Sequence, residues 1–170
     1  MRKLAALARA SEVVVDAIGS ITAWSSLAIV LVMAFNVLLR YAFNTGSVAM
    51  QELEWHLMAP IALLGMSYAI LKDGHVRVDV VYGRMSWRYQ ETVNAISHLL
   101  VLTFAVIMVL LSLPYVEQSF RIGEVSPDPG GLTHRFLLKS MIPFGFILLG
   151  IQATGAMLRA VLKLQAPHAD

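Results

Sequence analysis

The 170-residue chain contains no cysteine. Disulfides, thiol redox chemistry and thiolate metal sites are therefore excluded, and with them a disulfide-generating membrane oxidoreductase. Charge is also scarce. Only 14% of residues are Asp, Glu, Lys or Arg, against about a quarter in soluble domains, while 58% are hydrophobic. The scarcity is concentrated in residues 17–39, 55–71, 92–116 and 140–158, which have no Asp, Glu, Lys or Arg at all. As helices these stretches would run roughly 25 to 38 Å at about 1.5 Å per residue, bracketing a hydrocarbon core of about 30 Å.

The pattern predicts an all-α membrane protein with four transmembrane helices, spanning approximately residues 17–39, 53–71, 92–116 and 140–160. No connection is long enough to bury a soluble core, so residues 1–170 form one membrane domain. Glu52 and Glu54 are expected at the water-facing mouth of the second span.

The thirteen Lys and Arg are unevenly placed. Arg2, Lys3, Arg9, Lys72, Arg77, Arg84, Arg88, Arg159 and Lys163 lie on one side; Arg40, Arg121, Arg135 and Lys139 lie on the other. Nine against four puts both termini in the cytoplasm by the positive-inside rule. At the N-terminus, Arg9 cuts the apolar run too short for a signal peptide. Leu4, Leu7, Ala8, Val14 and Val15 recur at helical spacing, with Arg9, Glu12 and Asp16 on another face. This predicts an uncleaved amphipathic interfacial helix leading directly into the first span.

Residues 75–80, "HVRVDV", alternate as a strand would, yet a lone strand at a membrane surface leaves its backbone groups unpaired. A short cytoplasmic interfacial helix between spans two and three fits better. Arg77, Arg84 and Arg88 form one stripe at 100° per residue, with Val78, Val81, Tyr82, Met85 and Tyr89 beside it. The third connection packs Pro127, Pro129, Gly130 and Gly131 into five residues, which is turn chemistry.

The residues offer three kinds of candidate site. Glu52 and His56 stand four apart on one helical face and could share a metal, but two ligands are weak grounds for one. His56 and His98 belong to opposite leaflets, so no single haem can join them. An ion path needs an ionisable group facing the bundle interior, and the spans have no Asp, Glu, Lys or Arg. That also disfavours a small multidrug exchanger, which depends on an intramembrane glutamate. No catalytic residue, metal or cofactor is expected. What remains is small and mildly polar: Thr22, Ser26 and Asn36 on one stripe, Ala62, Gly65 and Ala69 on another, and the pair Gly150 and Thr154. All suit close helix packing.

"NVLLRYAFNTG", "QELEWHLMAPIALLGMSYAI", "GHVRVDVVYGRMS" and "SPDPGGL…LLKSMIPFGFILLGIQ" together resemble the small membrane subunit of TRAP transporters, the DctQ-like family. "HVRVD" and "IP.G..LL..Q" are family-level patterns, and "QELEWH" and "SPDPGG" mark a branch. Thr133-His134 departs from that branch, where a proline is expected after "GGL". The resemblance implies a non-catalytic scaffold in the bacterial inner membrane, beside a large elevator-type membrane subunit. A periplasmic substrate-binding protein would feed the pair for sodium-coupled organic-acid uptake; the lipid bilayer is the other partner, and no nucleic acid is. It also implies that His75, Arg77, Asp79 and Arg84 form a cytoplasmic anchor for assembly. Arg40, Glu52, Glu54, Arg121, Glu124 and Asp128 would form a periplasmic mouth that helps dock the binding protein. The alternative is a self-sufficient small homo-oligomeric transporter or channel.

Overall fold

A computed structural model describes residues 2–74 and 82–165. Among the described residues four long helices follow in order: α1 (Arg2–Phe43), α2 (Val48–Leu71), α3 (Trp87–Arg121) and α4 (Phe136–Gln165), and each is long and apolar enough to cross a membrane. The described residues contain no strand. The fold is that of an all-α multi-pass membrane protein.

Helix ends follow local chemistry. Ser47 caps α2, its hydroxyl accepting the Met50 N–H at 3.3 Å. Just past α1, Asn44 takes the left-handed conformation (φ 52°) that asparagine tolerates well. Pro60, Pro114 and Pro143 lie inside α2, α3 and α4, which packing against neighbours permits in membrane helices.

Helix α1 has 42 residues, roughly 63 Å at about 1.5 Å per residue. The segment read as an interfacial helix is its N-terminal part, joined to the span without a break. Ala8 and Ser11 lie against Gly155 of α4, and Ala8 and Val15 are buried. The charged face of this segment is engaged as well, with Glu12 pairing to Arg159 and Asp16 to Lys72.

The helices do not close into a symmetric bundle. Helix α4 packs against all three others; α1 also packs on α2, whereas α3 has a substantial contact only with α4. Leu148 of α4 joins Val15 and Leu64 in one core cluster, while Phe146 and Leu149 join Ala105 of α3 in a second. The buried face of α4 includes Pro143, Gly145, Leu148, Leu149 and Gln152, which are the residues of the "IP.G..LL..Q" pattern apart from half-buried Ile142. Gly145 has a steric role: a Cβ there would lie 2.8 Å from Leu63 Cβ and 2.9 Å from the Leu63 carbonyl oxygen, so α2 can approach α4 only over a glycine.

Candidate functional site

The polar side chains gather in two layers. Helix α2 links them, with Glu52 near its start and Lys72 just past its end. Twenty residues of helix separate the two, about 30 Å, the thickness of a hydrocarbon core.

The first layer joins two motifs far apart in sequence. Glu52 is only 5% exposed. Its carboxylate accepts the Ser126 hydroxyl in a short hydrogen bond, the Leu132 N–H at 2.6 Å and the Arg135 guanidinium at 3.0 Å. The loop closes around it through the Ser126 N–H, which donates to the Leu132 carbonyl at 3.0 Å, and the Asp128 N–H, which donates to Ser126 Oγ at 3.2 Å. Gly131 makes room: a Cβ there would sit 2.4 Å from Ser126 Oγ and 2.9 Å from Glu52 Oε2. The Ser126 hydroxyl and then the Leu132 amide hold the Glu52 carboxyl below its usual range, with Arg135 adding to them and outweighing the effect of burial. Alongside, Lys139 pairs with Glu124 at 2.5 Å and lies 4.0 Å from the centre of the Tyr115 ring. Lys139 is the main reason the Glu124 carboxyl is lowered, and Glu124 the main reason the lysine is raised.

The expected mouth residues therefore divide. Glu52 and Glu124 are consumed in bonds within the chain, because the loop after α3 folds over α2 and the start of α4. The Glu54 carboxylate accepts a long 3.5 Å hydrogen bond from buried Asn36 of α1. Arg40 and Asp128 are exposed, and Arg121 forms an exposed pair with Glu117 at 3.1 Å. His56 Nδ1 lies 2.7 Å from the Glu52 carbonyl oxygen, so this imidazole addresses backbone while the Glu52 carboxylate faces the loop. The two side chains do not converge on a shared ligand position. Among the described residues no three His, Cys, Asp or Glu come together as a metal centre. At the Thr133-His134 departure, His134 has φ 62°, a conformation closed to proline.

The second layer ties the other helix ends. Lys72 pairs with Asp16 at 2.6 Å, Arg159 with Glu12, and Lys163 with Glu91 at 2.9 Å. Asp16 is the main cause of a raised Lys72. Asn94 of α3 donates to the Tyr82 hydroxyl at 2.8 Å, and Gln90 Nε2 donates to the Tyr82 and Met85 carbonyls at 3.0 and 3.1 Å. Arg84 is exposed in this short turn. His75, Arg77 and Asp79 lie outside the described residues.

Of the packing candidates, Gly150 faces Leu102 and Ala105 of α3, while the Thr154 hydroxyl donates to the Gly150 carbonyl of its own helix at 2.8 Å. Gly65 meets no other helix closely, since nothing lies within 4 Å of where its Cβ would be. Sequence reasoning did not find Ser126, Leu132 and Arg135 as partners of Glu52, although the shared branch signal of "QELEWH" and "SPDPGG" was a hint that the motifs act together. Gln152, the glutamine of the "IP.G..LL..Q" pattern, is 1% exposed in the middle of α4.

Two layers of ion pairs thus lie at the two ends of spans that contain no Asp, Glu, Lys or Arg. Residues 29–163 match the family model described as the DctQ component of tripartite ATP-independent periplasmic transporters. The chain belongs to the DctQ family. No curated protein matches it. The DctQ match takes in Asn36, the whole Glu52 network and nearly all of α4, but begins after Glu12 and Asp16.

Proposed function

We propose that this DctQ subunit is the non-catalytic scaffold of its transporter. It supports the large elevator subunit in the inner membrane, with both termini cytoplasmic, and helps dock the binding protein for sodium-coupled organic-acid uptake. The observation that carries this reading is the separation of the two ion-paired layers by about 30 Å of helix without Asp, Glu, Lys or Arg. A mobile transport domain needs a fixed neighbour, and a helix set cross-tied at both ends suits that role.

Docking would fall to the charges that the internal pairs leave exposed, chiefly Arg40 and Asp128, with the Glu117–Arg121 pair beside them. Such charges change association rate more than affinity and fade with salt.

The deciding experiment is reconstitution in proteoliposomes. The large subunit together with this chain and the binding protein should give sodium-driven uptake, and this chain alone should give none. Uptake by the chain alone would establish the self-sufficient transporter instead. Orientation is tested with Ser86→Cys and Asp128→Cys, both exposed positions in a cysteine-free chain. An impermeant reagent should label only the second in intact cells.

A further inference from the structure

Helix α3 makes no substantial contact with α1, and between them an apolar groove of about 620 Å³ lies over α4. Leu7, Ala10 and Val14 of α1 form one wall; Leu102, Val106 and Leu110 of α3 form the other. The floor on α4 runs from Phe146 to Leu158, roughly 18 Å at about 1.5 Å per residue. That length has a meaning in a bilayer. Lys139 and Arg159 belong to the two ion-paired layers and stand about 30 Å apart along α4, so the groove begins within one turn of the slab's middle and ends at the Arg159 layer. It is one leaflet deep.

The lining offers no free donor. Its two polar side chains, Ser11 and Thr154, donate to the Ala8 and Gly150 carbonyls of their own helices at 2.8 Å, so the occupant has to be apolar along its length. A helix of another subunit and a lipid acyl chain both meet that condition. A helix about 10 Å across fills roughly 1,400 Å³ over the same length, more than twice the groove, and would continue through the other leaflet. An apolar cavity of about 150 Å³ holds the six carbons of benzene, so the groove has room for roughly 25 carbons, more than one acyl chain of about 16 to 18 and less than two. Charge agrees with the lipid. Lys3 continues the line of Leu7, Ala10 and Val14 at helical spacing, one turn beyond the groove's open end; it is exposed and makes no ion pair among the described residues. A phosphate at that mouth meets a cation that no carboxylate holds.

We propose that this groove holds one acyl chain of a phospholipid from the leaflet on the Lys3 side, with the lipid phosphate against Lys3. The chain fills the gap that separates α3 from the N-terminal part of α1. The site is separate from the Glu52 network, does not depend on the scaffold reading and holds for either orientation in the membrane.

The test uses the full chain, alone and co-assembled with the large subunit, in phosphatidylglycerol nanodiscs containing a trace of the same lipid with a photoreactive diazirine midway along one acyl chain. Adducts mapped by peptide mass spectrometry should favour Leu102, Val106 and Ile147 over Leu111, which is 69% exposed, by roughly tenfold, a difference of about 1.4 kcal/mol. Two variants should each cut that excess several-fold at an unchanged melting temperature in detergent. Gly150→Leu fills the floor from a position whose Cβ would meet only ordinary contacts, 3.6 Å from Leu102 and 3.7 Å from Ala105, and Lys3→Glu sets a negative charge against the phosphate. If Gly150→Leu does not fold, Ala10→Leu fills the same space from the exposed α1 wall. Equal labelling of the groove and Leu111, or an unchanged excess in either folded variant, would overturn the proposal. So would an excess that the chain shows alone and loses in the assembly, which would make the occupant a helix of the large subunit.

Discussion

Helices α3 and α4 run side by side, yet they meet the membrane differently. The most apolar window of α3 has mean hydropathy 2.6 and is 11% buried within the chain; that of α4 has mean hydropathy 1.7 and is 44% buried. In a soluble protein the more apolar helix would be the more buried one. Here the order is reversed, because lipid tails are as apolar as leucine and give no incentive to hide large side chains. Burial goes instead to the helix whose small and kinked positions let neighbours approach. Helix α4 has Pro143, Gly145, Ala153 and Gly155 on its buried face; α3 buries only Ala105, Ser112 and Ser119.

The comparison breaks most sharply at Gly145. Gly145→Leu would place side-chain atoms against the Leu63 backbone, which cannot rotate away, and should destabilise the fold by about 3 kcal/mol or more. Leu111→Ala in α3, at a side chain that is 69% exposed, removes apolar surface, yet should cost less than about 0.5 kcal/mol. Thermal unfolding of both variants in the same detergent checks the ranking, and equal losses would show that apolar area rather than close approach sets stability.

Leu148→Ala sharpens the same point. This side chain is 2% exposed between α1 and α2, and its truncation should cost about 2–5 kcal/mol as measured for buried leucines. Leu110→Ala at 63% exposure should again be nearly silent when assayed by the same unfolding curves.

A smaller effect is expected from the bonds that fix the loop before α4. The folded Glu52 and Glu124 carboxyls lie below the usual 4.5. The unfolded chain therefore binds protons more readily, and this contribution is fully present above that value and lost as pH falls through the lower folded values. Melting midpoints taken from pH 7 down to pH 3 should fall, and Glu52→Gln should flatten the fall while lowering the starting value. Lys139 works in the opposite sense. Its raised value stabilises below about 10.5, and that contribution is lost as pH rises through the folded value.

The weakest expected effect is Arg121→Ala at the end of α3. The Glu117–Arg121 pair is exposed on both sides, at 72% and 63%, and such i,i+4 pairs contribute about 0.3–0.5 kcal/mol. The check is a melting temperature within a degree or two of wild type, in contrast to charge reversal at Glu124, whose carboxylate is tied to Lys139.

Much of this architecture was legible beforehand. The runs without Asp, Glu, Lys or Arg give four spans because an unpaired charge in hydrocarbon is costly, and α2, α3 and α4 lie where those runs do. Of the residues read as packing positions, Asn36 is buried and Gly150 faces Leu102 and Ala105. Among the described residues nothing lies close to Gly65, since a glycine permits a close approach without requiring one. The Glu52 site was half legible: its position at the mouth of a span follows from charge, but Ser126, Leu132 and Arg135 lie 74 to 83 residues away. Periodicity carries no record of such pairings.

The sequence by itself determined that the chain is a four-span membrane protein, because hydrocarbon thickness and the cost of buried charge act on each segment independently, and its motifs carried the resemblance to the DctQ family. The tertiary structure alone decided which helix became the centre. That choice depends on which backbones can come together, as at Gly145 over Leu63. It also decided that Glu52 closes a loop instead of facing water and that Gln152 is buried in the middle of α4. Each of these requires residues from separate segments to meet, and a hydrogen bond exists only where geometry brings donor and acceptor within about 3 Å.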